Sequence, residues 1–490
     1  MRSKLIKNTL VLIATSLIIR VLSLANRIIL TRLLGNEGIS LYVIILPSLM
    51  LFMSIAGFSL NTALSKVIAE NAVSKKYSDK KILGAAITIG LFATAATSLL
   101  LVAIIKPLVS KGLRQEEAFY PLLSSLLILP LVMLNNVFRG YFNGKNRINI
   151  TAYANLIEQC ARIASGTIFL FLFRSLGLAG AVTMTVIAMG FGELISLIFI
   201  LWKIFRSTDK ILAGSESDPR KAILTVAAPT TFSRLLGNLT EFFEPLIYTL
   251  ALAKLGYANK EILYKYSAIT AYALPLITLC SFLSQSIAAA IIPSISRSNA
   301  SGRRDEVVHY IKKSCLLSFV PGILVTILLT AHAHDYMRLL YGTEIGAAYV
   351  VNLSAFFIFY YLLSPLWAIM QALGKAKLLF RINLVADVIK LALIYFLAFV
   401  PWISYNSLII VLLANTIVVS LIIYFYLKNR YRFRYSPKVI LKVAVLAIST
   451  FLFLQIIKTG SKSYLLNSAL TALFFLVLGR FLKITSLNDE

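Results

Sequence analysis

Charge is scarce in this 490-residue chain: 14% of its residues are charged, and only 20 are Asp or Glu against 48 Lys or Arg. A soluble domain carries about a quarter charged residues, so an ordinary water-soluble globule is excluded. Cysteine is also scarce. Cys160, Cys280 and Cys315 fall in or at the edges of apolar runs, giving neither a disulfide framework nor ligand spacing, and read as packing residues. His332 and His334 stand two apart beside Asp335, a weak pattern for a metal. Long polar stretches are missing too. The longest, 64–82, 203–221 and 294–313, are too short for an independent soluble domain, so any chemistry belongs inside a membrane. There is no GxxxxGK[ST] loop, which argues against ATP as the direct driver.

What is present is apolar sequence: 59% hydrophobic residues and a mean hydropathy of +0.84. A bilayer core of about 30 Å needs roughly 20 apolar residues per helix. Fourteen runs meet that need: 9–31, 41–63, 83–105, 121–138, 151–173, 178–202, 222–253, 264–292, 314–332, 347–372, 380–400, 407–427, 439–457 and 464–482. The basic start of the chain resembles a secretory signal, but Arg20 interrupts the run and no small-x-small cleavage site follows, so the first span is read as uncleaved. Lys and Arg are disfavoured on the translocated side. They number 32 in alternate segments beginning with the N-terminus, 10 in the opposite loops and 6 inside spans. That alternation puts both termini in the cytoplasm, in an inner-membrane, multi-pass protein. It also explains the formal charge of +28 as short patches between spans, without nucleic acid as a partner. The segment Arg430 to Tyr435, RYRFRY, reads as a topology anchor with an aromatic belt, or as a contact for anionic headgroups.

Eleven ionisable residues lie within spans: Arg20, Arg27, Arg162, Arg234, Lys265, Lys390, Glu158, Glu193, Glu241, Glu244 and Asp387. Each costs a few kcal/mol at mid-bilayer unless paired or facing water. Glu158 with Arg162 and Asp387 with Lys390 stand one turn apart and can pair within a helix, as struts or as a site. Span one differs. Arg20 and Arg27 share a helical face with Asn26 beside them and no acid within a turn. Forked guanidiniums in a hydrated pocket suit a phosphate or pyrophosphate. The alternatives are snorkelling, or contact with Glu241 or Glu244 of span seven. At an offset of 214, Arg234 falls on Arg20 and Glu241 on Arg27, and separately the turn FRGYFNGK (Phe138 to Lys145) after span four agrees with MQALGK (Met370 to Lys375) after span ten. Two six-helix halves follow, 1–210 and 211–428, in parallel orientation, with 429–490 as a terminal helix pair. Pro229, Gly237 and Pro245 give span seven places to bend.

IIRVLSLANRIILTRLLGNEGISLY (Ile18 to Tyr42), ALSKVIAE (Ala63 to Glu70), FRGYFNGK, IIPSISRS (Ile291 to Ser298) and LLYG (Leu339 to Gly342) stand in order along the chain. Together they resemble the multidrug/oligosaccharidyl-lipid/polysaccharide (MOP) exporter superfamily, in its stage V sporulation protein B and polysaccharide-biosynthesis branch, related to the lipid II flippase MurJ. The sequence departs from the MurJ-like pattern at Asn26-Arg27, where an Arg-Asp pair is expected, and in having no arginine mid-span eight, where Lys265 lies near the outer end. The resemblance implies an all-α membrane protein with two lobes around a cavity and a terminal pair that forms a groove for a polyprenyl tail.

It further implies a non-enzymatic flippase that turns a polyprenyl-pyrophosphate-linked saccharide to the outer leaflet for wall or polysaccharide assembly. Its partners would be that glycan, membrane lipids and wall or polysaccharide synthases. No cofactor is implied, and membrane potential, Na+ or H+ would supply the drive. The cavity set is Arg20, Asn26, Arg27, Arg234, Glu241 and Glu244. Lys66, Glu70, Arg139, Gly140, Gly144 and Lys145 stand in turns expected to gate the cytoplasmic side. Two other classes compete. A cation-coupled drug exporter of the same fold places carboxylates in its cavity, where span one here has bases. A glycosyltransferase needs acids on a substantial outer loop, and Glu116-Glu117 lie on a short one rich in bases.

Overall fold

The computed structural model describes residues 2–206, 217–279, 281–460 and 463–483, and among them every regular element is a helix. Cys280, the expected lobe boundary at 210 and the last seven residues lie outside the described residues. The chain forms two compact units, Met1–Ser267 and Ala268–Glu490.

The first unit contains α1 (Arg2–Gly57), α2 (Leu60–Ser74), α3 (Asp79–Pro107), α4 (Phe119–Ser124), α5 (Ile128–Gly144), α6 (Ile148–Leu172), α7 (Gly177–Phe205), α8 (Arg220–Lys254) and α9 (Asn259–Ser267). Although α1 runs for 56 residues, it breaks at Gly35, whose φ of 68° and ψ of −175° only glycine adopts at low cost. The break falls between the first two expected spans. Phe58 and Ser59 take left-handed conformations that separate α1 from α2. At the far end of α2 the buried Asn71 clamps the turn, its amide donating to the Tyr77 carbonyl and its oxygen accepting from Tyr77 N–H, both at 2.8 Å.

Small residues let backbones approach where the helices carry charge. A Cβ on Gly140 would lie 2.8 Å from the Asn61 carbonyl, and one on Gly144 2.7 Å from Ile68 Cβ, so α5 seats directly on α2. A Cβ on Gly192 would lie 2.9 Å from the Glu158 carbonyl, which brings α7 onto α6. An apolar cluster including Leu60, Leu64, Met133, Val137, Phe142, Ile200 and Ile223 fills the space among α2, α3, α5, α7 and α8. The expected two-lobe division starts its second half at 211; here α8 packs on α1, α2 and α3, and α9 on α1.

The second unit contains α10 (Leu274–Ile277), α11 (Ser281–Ala300), α12 (Arg304–Tyr341), α13 (Ala347–Leu353), α14 (Ile358–Ala372), α15 (Ala376–Ala398), α16 (Ser407–Tyr431), α17 (Pro437–Gly460) and α18 (Tyr464–Phe481). Its pairings repeat those of the first: α11 on α14 as α2 on α5, and α15 on α16 as α6 on α7. Left-handed residues, Asn146 and Gly374, stand in the turns before α6 and α15. The terminal helices α17 and α18 stack Phe453 on Phe474 at 4.2 Å and pack against α12 through Leu316, Ile323, Ile327, Leu446 and Phe475.

Among the described residues eight helices are long and apolar enough to cross a membrane, or ten if α9–α11 and α13–α14 are each one bent span. The helices at expected spans five, seven and eleven, α6, α8 and α15, are 25, 35 and 23 residues long. They carry the Glu158, Glu241 and Asp387 groups, whose charges dilute their apolar character. This is a multi-pass membrane protein.

Candidate functional site

Part of the intramembrane charge of the first unit converges where α5, α6 and α7 meet. One turn apart on α6, Glu158 pairs with Arg162. Arg139 reaches in from α5, donating to Glu158 Oε2 at 2.7 Å and to Ser196 Oγ at 2.8 Å, with Glu193 Oε2 at 3.8 Å. Glu193, buried on α7, accepts from Asn135 Nδ2 at 2.6 Å, and the same amide donates to the Glu193 backbone carbonyl at 2.8 Å. Two acids and two bases thus balance within one enclosed network that ties three helices together. An ion taken out of water costs several kcal/mol, and pairing with extra hydrogen bonds offsets that cost.

Of the residues expected in gate turns, Arg139 belongs to this network rather than to a turn surface. Lys145 pairs with Asp79 at 2.7 Å, joining the end of α5 to the start of α3, while Asn143 bonds Asn61 at 3.0 Å and Thr151 at 2.9 Å. Gly140 and Gly144 serve the α2–α5 contact. Lys66 and Glu70 form an exposed pair within α2 at 3.7 Å.

The cavity set divides. Arg27 is half-buried on α1, and its charge reaches the Tyr42 phenol together with that of Arg162. The buried Tyr266 on α9 lies within electrostatic range of Glu244, Glu241 and Arg27 at once. Arg27, Glu241 and Glu244 thus all act electrostatically on one phenol. Asn26 is half-buried beside Arg27. Arg20 lies two turns away on the exposed surface of α1, and Arg234 and Glu241 are exposed on α8. A charge on a membrane helix that is not buried in protein must meet water or headgroups, so these residues mark an aqueous surface.

In the second unit Lys390 is buried on α15 with Asp387 Oδ1 at 4.0 Å, the pairing expected from their spacing. Sequence reasoning left Asn135, Ser196 and Asp79 unassigned, and counted Glu193 as an intramembrane acid without a partner. Nothing in local spacing links Glu193 to Arg139; only helix packing does. Cys160, expected as a packing residue, is exposed, whereas Cys315 is buried.

A family model described as "Polysaccharide biosynthesis protein" matches residues 5–298, and one described as MatE matches 235–396. The chain is 30% identical to "Stage V sporulation protein B" of Bacillus subtilis (strain 168), over 85% of this chain and 82% of that protein. It is 23% identical to "Lipid II flippase MurJ" of the same organism, over 80% and 77% of the two chains. A solved structure, "Lipid II flippase MurJ, inward closed conformation", superposes with a TM-score of 0.74 at 14% identity, covering 97% of this chain and 99% of the other.

Proposed function

Since this chain belongs to the polysaccharide biosynthesis protein family, and is a non-enzymatic transporter of the MOP superfamily, we propose that it flips a polyprenyl-pyrophosphate-linked saccharide from the inner to the outer leaflet of the cytoplasmic membrane. The observation that carries this reading is the placement of bases on α1: Arg20 exposed within a membrane helix, and Arg27 two turns further along the same face, its charge reaching the Tyr42 and Tyr266 phenols. A pyrophosphate head entering along α1 meets Arg20 first and is gripped by forked, charge-assisted hydrogen bonds. Arg27 and the α8 acids Glu241 and Glu244 all act electrostatically on the Tyr266 phenol. A second anion must therefore compete with those acids, which gives α1 and α8 two alternative charge arrangements, one empty and one loaded. Alternating access needs such a pair of states. The tail stays in lipid, and fourteen spans with both ends in the cytoplasm provide the frame. Membrane potential supplies about 2.3 kcal/mol per charge per 100 mV, so potential or a co-moving cation is a sufficient drive.

The test is a reconstituted flipping assay in proteoliposomes with fluorescent lipid II and other polyprenyl-linked glycans, with and without an imposed potential. Transport of at least one such lipid is expected, abolished by Arg20→Ala and partly kept by Arg20→Lys, with expression unchanged. Normal transport by Arg20→Ala removes that residue from the site. The acids on α8, inside the MatE match, favour one second reading, a cation-coupled exporter. Efflux of cationic dyes with no movement of any polyprenyl lipid would establish that reading instead.

A further inference from the structure

In the second unit α12, α14, α16 and α17 enclose a groove of about 280 Å3. Its walls include Leu316, Phe319, Leu362, Tyr424 and Val443, so they are almost wholly apolar and offer no charge to a ligand. The lining residue Ile440 is 61% exposed, which shows where the groove opens on the lipid-facing surface of α17.

Tyr435 marks the opposite character at one end. It lines the groove, its hydroxyl donates to the Lys312 carbonyl at 3.1 Å, and it ends the RYRFRY segment. Within that segment Phe433 is buried, with its ring 5.8 Å from Tyr424 and 6.1 Å from Tyr435. Alternation then turns Arg432 and Arg434 outward, and both are exposed, as are Arg430 and Lys438. Arg304 is held at the same place, donating to the Arg430 carbonyl at 2.8 Å and lying 5.9 Å from the Tyr431 ring centre. The stretch 428–442 contains six bases and no acid. Of the neighbouring acids on α12, Asp305 follows Arg304, and Glu306 is engaged by Arg303 and by Ser298, each at 2.6 Å.

An apolar slot that opens to lipid and ends beneath a pinned row of bases matches the two ends of one molecule. We propose that this is a binding site for an anionic glycerophospholipid, with a stretch of one acyl chain in the groove and the phosphate against Arg432, Arg434 and Lys438. Charge complementarity selects this occupant. A zwitterionic lipid would bring a quaternary ammonium to a surface of bases, and an acidic peptide would leave the groove empty. The site shares no residue with the α1 surface of the proposed flipping reaction, so either reading can fail without the other.

The test uses the full chain in nanodiscs containing phosphatidylglycerol or phosphatidylcholine with a photoreactive group on one acyl chain, and locates the adducts by peptide mass spectrometry. Phosphatidylglycerol is expected to label peptides spanning Leu316, Tyr424 and Val443 roughly tenfold more than phosphatidylcholine at equal mole fraction. The double variant Arg432→Gln/Arg434→Gln, on exposed positions, is expected to bring the two lipids level. Val443→Trp, which fills the slot, is expected to remove labelling by both. Equal labelling by the two lipids in the unaltered protein, or no effect of the glutamine pair, overturns the proposal in favour of ordinary annular lipid. Displacement of the label by a polyprenyl pyrophosphate but not by unlabelled phosphatidylglycerol overturns it too, and makes the groove a slot for the transported lipid's tail.

Discussion

At the scale of the residue, Arg139 holds the first unit's network in balance. Its removal leaves Glu158 and Glu193 buried with Arg162 as the remaining base. Arg139→Ala is therefore expected to lower stability by about 3–5 kcal/mol, read as a shift in thermal unfolding in detergent. Adding Glu193→Gln is expected to restore part of that loss, a non-additive cycle that independent sites would not give. A second charged group sits outside the membrane helices. Hydrogen bonds from His334, at 2.7 Å, and then from Arg338 hold the Glu344 carboxyl below the usual carboxylate range. The folded value is depressed, so the contribution is complete above the unfolded value, about 4.3, and is lost as pH falls through the folded one. Protection of the amides at 342–346, corrected for their intrinsic exchange rates, is expected to fall as pH drops below the unfolded value, and to lose that dependence in Glu344→Gln.

At the scale of the element, glycines decide which helices meet. Gly192→Leu places a side chain against the Glu158 carbonyl, 2.9 Å from its first carbon. It is expected to cost about 1–3 kcal/mol and to part α7 from α6, so that Glu193 loses Arg139 and thermal unfolding shifts accordingly. Much of this level was legible in the sequence. The gap between the first two spans falls on Gly35, and the i, i+4 spacing of Glu158 and Arg162 announced their pair. What was illegible is tertiary: Glu193 and Asn135 meet Arg139 through packing across three helices, and Asp79 meets Lys145 from the start of another. No periodicity encodes those partners. The kink in α12 at His332, φ −126°, was also invisible, because neither proline nor glycine causes it. There the preceding carbonyl, on Ala331, accepts from Lys458 of α17 at 3.0 Å, which ties the terminal pair to the bend.

At the scale of the whole molecule, the alternation of bases makes a prediction about sides. Single cysteines introduced in 64–82, 139–150, 294–313 and 428–442 are expected to react with an impermeant maleimide only from the cytoplasmic face, and those in 108–120 and 338–346 only from outside. One loop labelled from the wrong side would shift the span count and the orientation together. The composition of α6 has a further consequence, for biosynthesis. A central acid and base each oppose insertion by about 2.5–3.5 kcal/mol, so α6 enters lipid poorly by itself. Yet Arg139 leaves the ribosome just before Glu158, and Glu193 soon after, on the two helices adjacent in the chain. The network can thus be completed among consecutive helices as they emerge, and the order of synthesis itself serves as the chaperone for this charged helix.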